Sequence, residues 1–94
     1  MSLTVDDDGT PIIVTGTATA DTEIREDITY IKYVYWYNPT STGHLCNITD
    51  GVGRSIIKMR AECDGDTQMW PIGLTVKGIR CDDMDSGTLY IYHP

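Results

Sequence analysis

The sequence predicts an all-β protein: a small antiparallel β-sandwich, jelly-roll-like, with about six to eight short strands and a small β-barrel as the alternative. Short runs rich in β-branched and aromatic residues alternate with turn residues along the whole chain, and no segment keeps a helical period over three turns. With 94 residues the chain has room for one domain. We expect a flexible N-terminal segment at residues 1–10 and a single sandwich over residues 11–94, because two sheets suffice to bury a core of this size.

The first half of the chain supplies the strongest strand signals. Residues 11–19 contain Ile12, Ile13 and Val14 among threonines, which favours a strand. Residues 20–27 suit a loop or an edge strand. Residues 28–37 read Ile-Thr-Tyr-Ile-Lys-Tyr-Val-Tyr-Trp-Tyr and give the strongest strand signal in the chain.

The second half alternates strands with tight turns. Residues 44–49 predict a short strand, followed by a turn at Asp50-Gly51. Residues 68–71 suit a short extended piece and residues 88–93 a closing strand. Gly78 predicts a β-bulge, because the apolar parity changes there from that of Leu74 and Val76 to that of Ile79 and Cys81. Residues 54–63 predict a half-buried strand with these residues on its inner face: Ile57, Met59, Ala61 and Cys63.

The aromatic content points to a surface contact. The chain has six Tyr and two Trp but no Phe, and Tyr and Trp carry a polar tip that suits boundaries and interfaces. Residues 28–37 are apolar on both faces, so one face is expected in the core and the other against a neighbouring chain. Sugar stacking on the rings is the other functional interpretation. The candidate interface residues are Tyr30, Tyr33, Tyr35, Tyr37, Trp70, Tyr90 and Tyr92.

The net charge of the chain and its apolar segments indicate which kinds of partner can be excluded. The net charge of −7 argues against nucleic acid and anionic membranes as partners. No window approaches the roughly 18 apolar residues of a membrane-spanning helix, and the first residues lack a secretory signal. The three cysteines form no CxxC pair, so we expect them to be small buried hydrophobic residues of a protein made in a reducing cytosol.

The chain contains few residues suited to catalysis or metal binding. His44 and His93 are the only histidines, and no third group is evident to orient a pair of His44 with Cys46. We therefore expect no enzymatic activity and no cofactor. Acidic turns could bind calcium, although Asp in a turn ordinarily bonds its own backbone, and both interpretations stay open. The candidate metal ligands are Asp64, Asp66, Asp83 and Asp85.

The second half of the chain carries a motif cadence. Gly43-His44 is followed by Thr49-Asp50 and Gly53, then by Lys77-Gly78-Ile79, and finally by Ser86-Gly87-Thr88 before Tyr92. This cadence, which covers roughly residues 33–92, resembles the small β-sandwich proteins encoded among the structural genes of tailed bacteriophages and prophages.

That resemblance implies a structural role. It predicts a virion component of the head or tail, decorating or fibre-associated, made in the bacterial host cytoplasm. Its expected partners are further copies of itself, as a homo-oligomer, and other virion proteins. The alternative function is a carbohydrate- or ligand-binding β-sandwich module, in which a glycan would be the partner.

Overall fold

A computed structural model of the chain describes residues 3–7, 9–17 and 22–94. These residues form seven antiparallel strands of a single sheet, which confirms the predicted all-β fold and strand number. The described residues include no helix, and therefore none that could span a membrane. The strands are β1 (Leu3–Asp6), β2 (Ile12–Gly16), β3 (Thr22–Tyr37), β4 (Leu45–Asp50), β5 (Ser55–Arg60), β6 (Gln68–Met84) and β7 (Thr88–Tyr92).

Two long strands organise the sheet, whose order is β1-β2-β7-β3-β6-β4-β5. β3 pairs with β6 along most of its length, and the last part of β3 also pairs with β7. The last part of β6 also pairs with β4, which in turn pairs with β5. One end of the β3–β6 pair therefore belongs to a layer with β1, β2 and β7, and the other end to a layer with β4 and β5.

The sheet folds over itself to make the core. Buried side chains from both layers join one apolar cluster, and no helix in the described chain covers either face, so the two layers must cover each other. Trp36 is the largest fully buried side chain, and its Nε1 donates a hydrogen bond to the Ser86 carbonyl oxygen at 2.9 Å. The fully enclosed aliphatic residues are Ile12, Val14, Ile31, Val34, Ile48, Ile79, Leu89 and Ile91.

Irregularities in the long strands let them bend from one layer into the other. The β3–β6 register shifts beside Gly78, whose φ is +83°, but the extra residue of this bulge is on β3, where residues 26–27 face the single Gly78. Val76 before it and Ile79 after it are both buried, as the parity change requires. On β3 the buried positions change from Thr29 and Ile31 to Val34 and Trp36 across a second register shift.

The structure differs from the sequence predictions at several places. Residues 68–71 and 74–82 belong to one strand, β6, and the described part of residues 20–27 forms the start of β3. Within residues 1–10, Leu3–Asp6 is a strand of the sheet. Cys63 was expected to be buried, but it is exposed, because β5 ends at Arg60 and the cysteine lies in the following turn.

Candidate interaction surface

Five tyrosines lie together on the outer face of the layer that contains β3 and β7. Tyr33 is directly opposite Tyr92, and Tyr35 is opposite Tyr90. Opposed residues of an antiparallel pair point to the same side, so these four rings share a face with Tyr37, two residues further along β3. That face points away from the core, because the alternate residues of both strands are fully buried: Val34, Trp36, Leu89 and Ile91.

The same rows continue onto both neighbouring strands. Ile13 on β2 is opposite Tyr90, while Met69 and Pro71 on β6 are opposite Tyr35 and Tyr33. We call this surface the tyrosine face. Its aromatic and apolar residues are Ile13, Tyr33, Tyr35, Tyr37, Met69, Pro71, Tyr90 and Tyr92, and the row of Tyr37 continues through Thr88 to Thr15.

Ring packing orders the tyrosine face. The rings of Tyr33 and Tyr92 are stacked, with centroids 4.4 Å apart and an angle of 22° between planes. Tyr35 contacts Tyr90 at 5.7 Å and Tyr37 at 6.2 Å in tilted geometry. Such pairs fix rings in place at a low cost in side-chain entropy. The face is therefore a preformed array of rings rather than a set of independent surface side chains.

The tyrosine face carries no formal charge, although the whole chain has a net charge of −7. Met69 is 62% exposed and Tyr37 is 49% exposed. Asp6, opposite Ile13 on β1, continues the row at the edge of the sheet. The surface is thus an uncharged patch on an acidic molecule, which is unusual for a face exposed only to water.

Two of the predicted interface residues lie elsewhere. Tyr30 is exposed on β3, but it precedes the register shift between Ile31 and Tyr33 and is opposite Thr75. Trp70 is opposite the buried Val34, so it points to the other side of β6 from Met69. It is half-exposed at the edge of the strand, where its Nε1 donates to Gln68 Oε1 at 3.0 Å.

His44 and Ser86 join two loops beside this layer. His44 Nδ1 lies 2.7 Å from Ser86 Oγ, and the Thr40 amide donates to the same oxygen at 2.8 Å. The Leu45 amide donates to Asp85 Oδ2 at 2.8 Å. Within the described chain, no hydrogen bond to the second ring nitrogen of His44 is found to orient it as catalysis by a Ser–His pair requires. The arrangement accounts for loop positioning.

Two of the predicted metal ligands, Asp64 and Asp66, accept hydrogen bonds from the loops around them. Asp64 Oδ1 accepts from the Thr42 amide, and Asp66 Oδ2 accepts from the Glu62 amide at 2.8 Å and from Gln68. In the part of the chain that is described, no group of three His, Cys, Asp or Glu side chains could hold a metal ion. The two carboxylates therefore hold loop backbone in place.

The acidic turn before β7 has its own electrostatics. Burial raises the pKa of the Asp83 carboxyl, and a hydrogen bond and the charge of neighbouring Asp85 raise it further. Asp82 adds to the repulsion. The turn thus gathers negative charge next to the β4–β6 pairing.

Two of the three cysteines meet inside the core. Cys46 and Cys81 are both buried, and each thiol shifts the pKa of the other. The neighbouring Cys81 thiol, together with burial, raises the pKa of the Cys46 thiol well above its usual value. Cys81 Sγ also lies 3.5 Å from the Asp83 carbonyl oxygen. The sequence suggested His44 as the neighbour of Cys46 in a candidate catalytic pair. In the structure the Cys46 side chain lies next to Cys81 instead.

A cavity of about 320 Å³ lies away from the tyrosine face, between the β3–β6 pair and the turn after β4. Glu23 pairs with Arg80 at 3.5 Å, and Arg25 with Asp7 at 3.5 Å, so its charges largely compensate each other. No aromatic residue of the described chain lines it, so it lacks the ring platform expected for sugar binding. Its charged lining residues are Glu23, Arg25, Glu26, Asp50, Lys77 and Arg80.

No protein-family model, curated protein or solved structure matches this chain. The sequence pattern located Tyr33, Tyr35 and Tyr37 on one strand face. It did not identify Ile13, Met69 or Pro71 as part of that face, because their membership follows from strand register. It also did not identify the contact of His44 with Ser86, which are separated by 42 positions.

Proposed function

We propose that this chain is a non-enzymatic structural protein that acts through protein–protein contacts made by its tyrosine face. The observation that carries the proposal is the row register of β2, β7, β3 and β6, which gathers five tyrosines, Ile13, Met69 and Pro71 on one uncharged outer face. Tyrosine and methionine are enriched at protein interfaces, and charged residues are depleted at interface centres.

The charge distribution favours a second copy of the chain as one partner. Two molecules of net charge −7 repel each other, and the repulsion is smallest when they meet through a surface without charges. The tyrosine face is such a surface. A two-fold contact between identical faces would place rings of one copy against rings of the other.

The size of the face favours many weak contacts over one tight dimer. Four strands about 4.8 Å apart and three side-chain rows about 6.8 Å apart give roughly 400 Å². A standard stable interface buries about 800 Å² on each partner. The face supplies about half of that, so a single contact is weak. Assemblies in which each copy makes several contacts at once add such weak contacts into stable attachment.

A repeated assembly of this kind agrees with the resemblance of residues 33–92 to the β-sandwich proteins of tailed phages. We propose that the chain is a virion component of the head or tail, which contacts copies of itself and other virion proteins. The first and last parts of that cadence, Gly43-His44 and Ser86-Gly87-Thr88, meet in the fold, where His44 contacts Ser86.

Sedimentation equilibrium from about 10 µM to about 1 mM tests self-contact through this face. We expect the weight-average mass to rise above the monomer value within this range. The Tyr37→Ser variant should reduce the rise severalfold, since Tyr37 is half-exposed on the face. The matched control is Tyr30→Ser, because Tyr30 is a similarly exposed tyrosine of the same strand that lies outside the face.

A mass that stays at the monomer value up to about 1 mM would contradict self-contact, as would equal losses in the two variants. A glycan array tests the carbohydrate alternative in parallel. Binding of a glycan that Tyr37→Ser removes and Tyr30→Ser keeps would assign the same face to sugar instead. The two measurements together decide between these partners.

A further inference from the structure

The buried thiol pair of Cys46 and Cys81 is not explained by any contact role of the tyrosine face. Cys46 lies on β4 and Cys81 on β6, and both residues are 0% exposed. Directly opposed partners are Cys46 with Met84 and Ile48 with Cys81, so the two cysteines are diagonal neighbours. Register and burial together place the two side chains next to each other in the core.

An irregularity in the sheet brings the cysteines onto the same side. The register shifts between Asn47, opposite Asp83, and Ile48, opposite Cys81, which leaves Asp82 as an extra residue on β6. Such a bulge re-aims the neighbouring side chain. Here both sulfurs point into the core rather than to opposite faces of the sheet.

We propose that Cys46 and Cys81 form an oxidisable dithiol that closes into an intramolecular disulfide linking β4 to β6. Their sulfurs must approach each other to reach the disulfide length of about 2.05 Å. Side-chain rotation with a small shift at the bulge supplies such a movement.

A small disulfide such as oxidised glutathione is the oxidant in this reaction. The Cys81 thiolate attacks one glutathione sulfur, which breaks the glutathione S–S bond and releases one glutathione as a thiol. Cys46 then loses its proton and attacks Cys81 Sγ in the mixed disulfide, which releases the second glutathione. The two cysteines are oxidised, glutathione disulfide is reduced, and the two protons end on the released thiols.

The order of attack follows from the asymmetry between the two thiols. Interaction with Cys46 lowers the pKa of Cys81, whereas interaction with Cys81, together with burial, raises the pKa of Cys46. Because both side chains are fully enclosed, the oxidant reaches them only through local opening of the β4–β6 pairing. The exposed Cys63 is a competing thiol and must be removed for a clean test.

The test uses Cys63→Ser, a change at an exposed turn position, so that only the proposed pair remains. The folded protein is incubated with oxidised glutathione, denatured, and treated with N-ethylmaleimide to block remaining thiols. Trypsin places the cysteines on separate peptides, residues 33–54 and 81–94. We expect these peptides to be linked, a mass loss of two hydrogens in the intact chain, and a higher thermal midpoint that dithiothreitol reverses.

Two results would overturn the proposal. One is recovery of both cysteines alkylated after oxidation at a urea concentration just below the unfolding transition, where local opening is frequent. The other is recovery of stable glutathione adducts without the linked peptides. Cys81→Ala in the same background is the control, and it must yield no linked product.

Discussion

Gly78 on β6 lies against Gly51 in the turn after β4, with backbone touching backbone. A Cβ atom on Gly78 would come within 2.9 Å of Gly51 Cα, and one on Gly51 within 2.7 Å of the Lys77 carbonyl oxygen. The Gly51 amide donates to that oxygen at 3.0 Å. Gly78 also has φ of +83°, so sterics and conformation both require glycine there.

We expect Gly78→Ala to lower the free energy of unfolding by about 2–4 kcal/mol. Backbone strain at positive φ contributes about 1–3 kcal/mol, and displacement of the Gly51 turn adds to it. Urea unfolding monitored by tryptophan fluorescence measures the change.

Gly53→Ala separates the two causes. Gly53 has φ of +90°, but nothing lies within 4 Å of a Cβ atom there, so only the strain of about 1 kcal/mol remains. Gly9→Ala, at a position with open space and no positive φ, should be close to neutral. If the two variants Gly78→Ala and Gly53→Ala lost equal free energies of unfolding, the close contact between Gly78 and the Gly51 turn would not contribute to the effect.

Ser86→Ala should lower the free energy of unfolding by about 1–3 kcal/mol, because it leaves the Thr40 amide and the His44 ring without their shared oxygen. The Trp36 bond to the Ser86 carbonyl is kept, so the core stays intact. Thermal and urea unfolding check the loss. Ser41→Ala, at an exposed position of the loop that contains Thr40 and His44, is the control and should change stability by less than about 0.5 kcal/mol. Similar values for both would contradict the role given to the Ser86 hydroxyl.

The stacked pair of Tyr33 and Tyr92 should show energetic coupling. A double-mutant cycle with Tyr33→Ala and Tyr92→Ala is expected to give a coupling energy of about 0.5–1.5 kcal/mol, because the rings are 4.4 Å apart and nearly parallel. The comparison cycle combines Tyr30→Ala with Tyr92→Ala, because Tyr30 is opposite Thr75 rather than Tyr92. In that cycle the effects of the two mutations on stability should be additive. A coupling energy of the same size in both cycles would contradict a specific contribution from the stacked rings.

The raised pKa of Asp83 predicts how stability varies with pH. The folded state holds the Asp83 proton more tightly than the unfolded chain does, so the stabilisation is fully present below the unfolded pKa of about 3.9. It is lost as pH rises through the higher folded pKa. Asp83→Asn should therefore match the wild type in acid and exceed it at neutral pH, by less than about 1 kcal/mol because the carboxylate is solvent-screened.

Urea unfolding from acid to neutral pH at low ionic strength measures this difference. Added salt should shrink it, since the repulsion from Asp82 and Asp85 is screened. A gain for Asp83→Asn that is constant with pH would contradict the electrostatic explanation.

The strands of this fold can be predicted from the sequence, but the joining of two predicted strands into one long strand cannot. The parity change at Gly78 was visible in the order of Val76 and Ile79, because alternation records which face is buried. That residues 68–71 continue directly into β6 was not visible, since Pro71 and Gly73 ordinarily interrupt a strand. A bulged, bent strand tolerates both.

The candidate surface was predictable only in part for a related reason. Alternation along β3 placed Tyr33, Tyr35 and Tyr37 together, since that information is local. Tyr90 could have pointed inward or outward, and the register between β7 and β3 decides it. Trp70 and Met69 are adjacent in sequence, and only their pairing with β3 shows that Met69 and not Trp70 belongs to the face.

Continuous β3 and β6 also determine how the molecule responds to load. β3 and β6 both contribute to the tyrosine face, and β6 continues to its pairing with β4, so force applied at that face is carried by a long ladder of backbone hydrogen bonds rather than by a contact between two separate sheets. Because both strands run through the two layers, we expect the domain to yield as a single mechanical unit. A tethered subunit built this way can transmit tension from one side to the other without coming open in the middle.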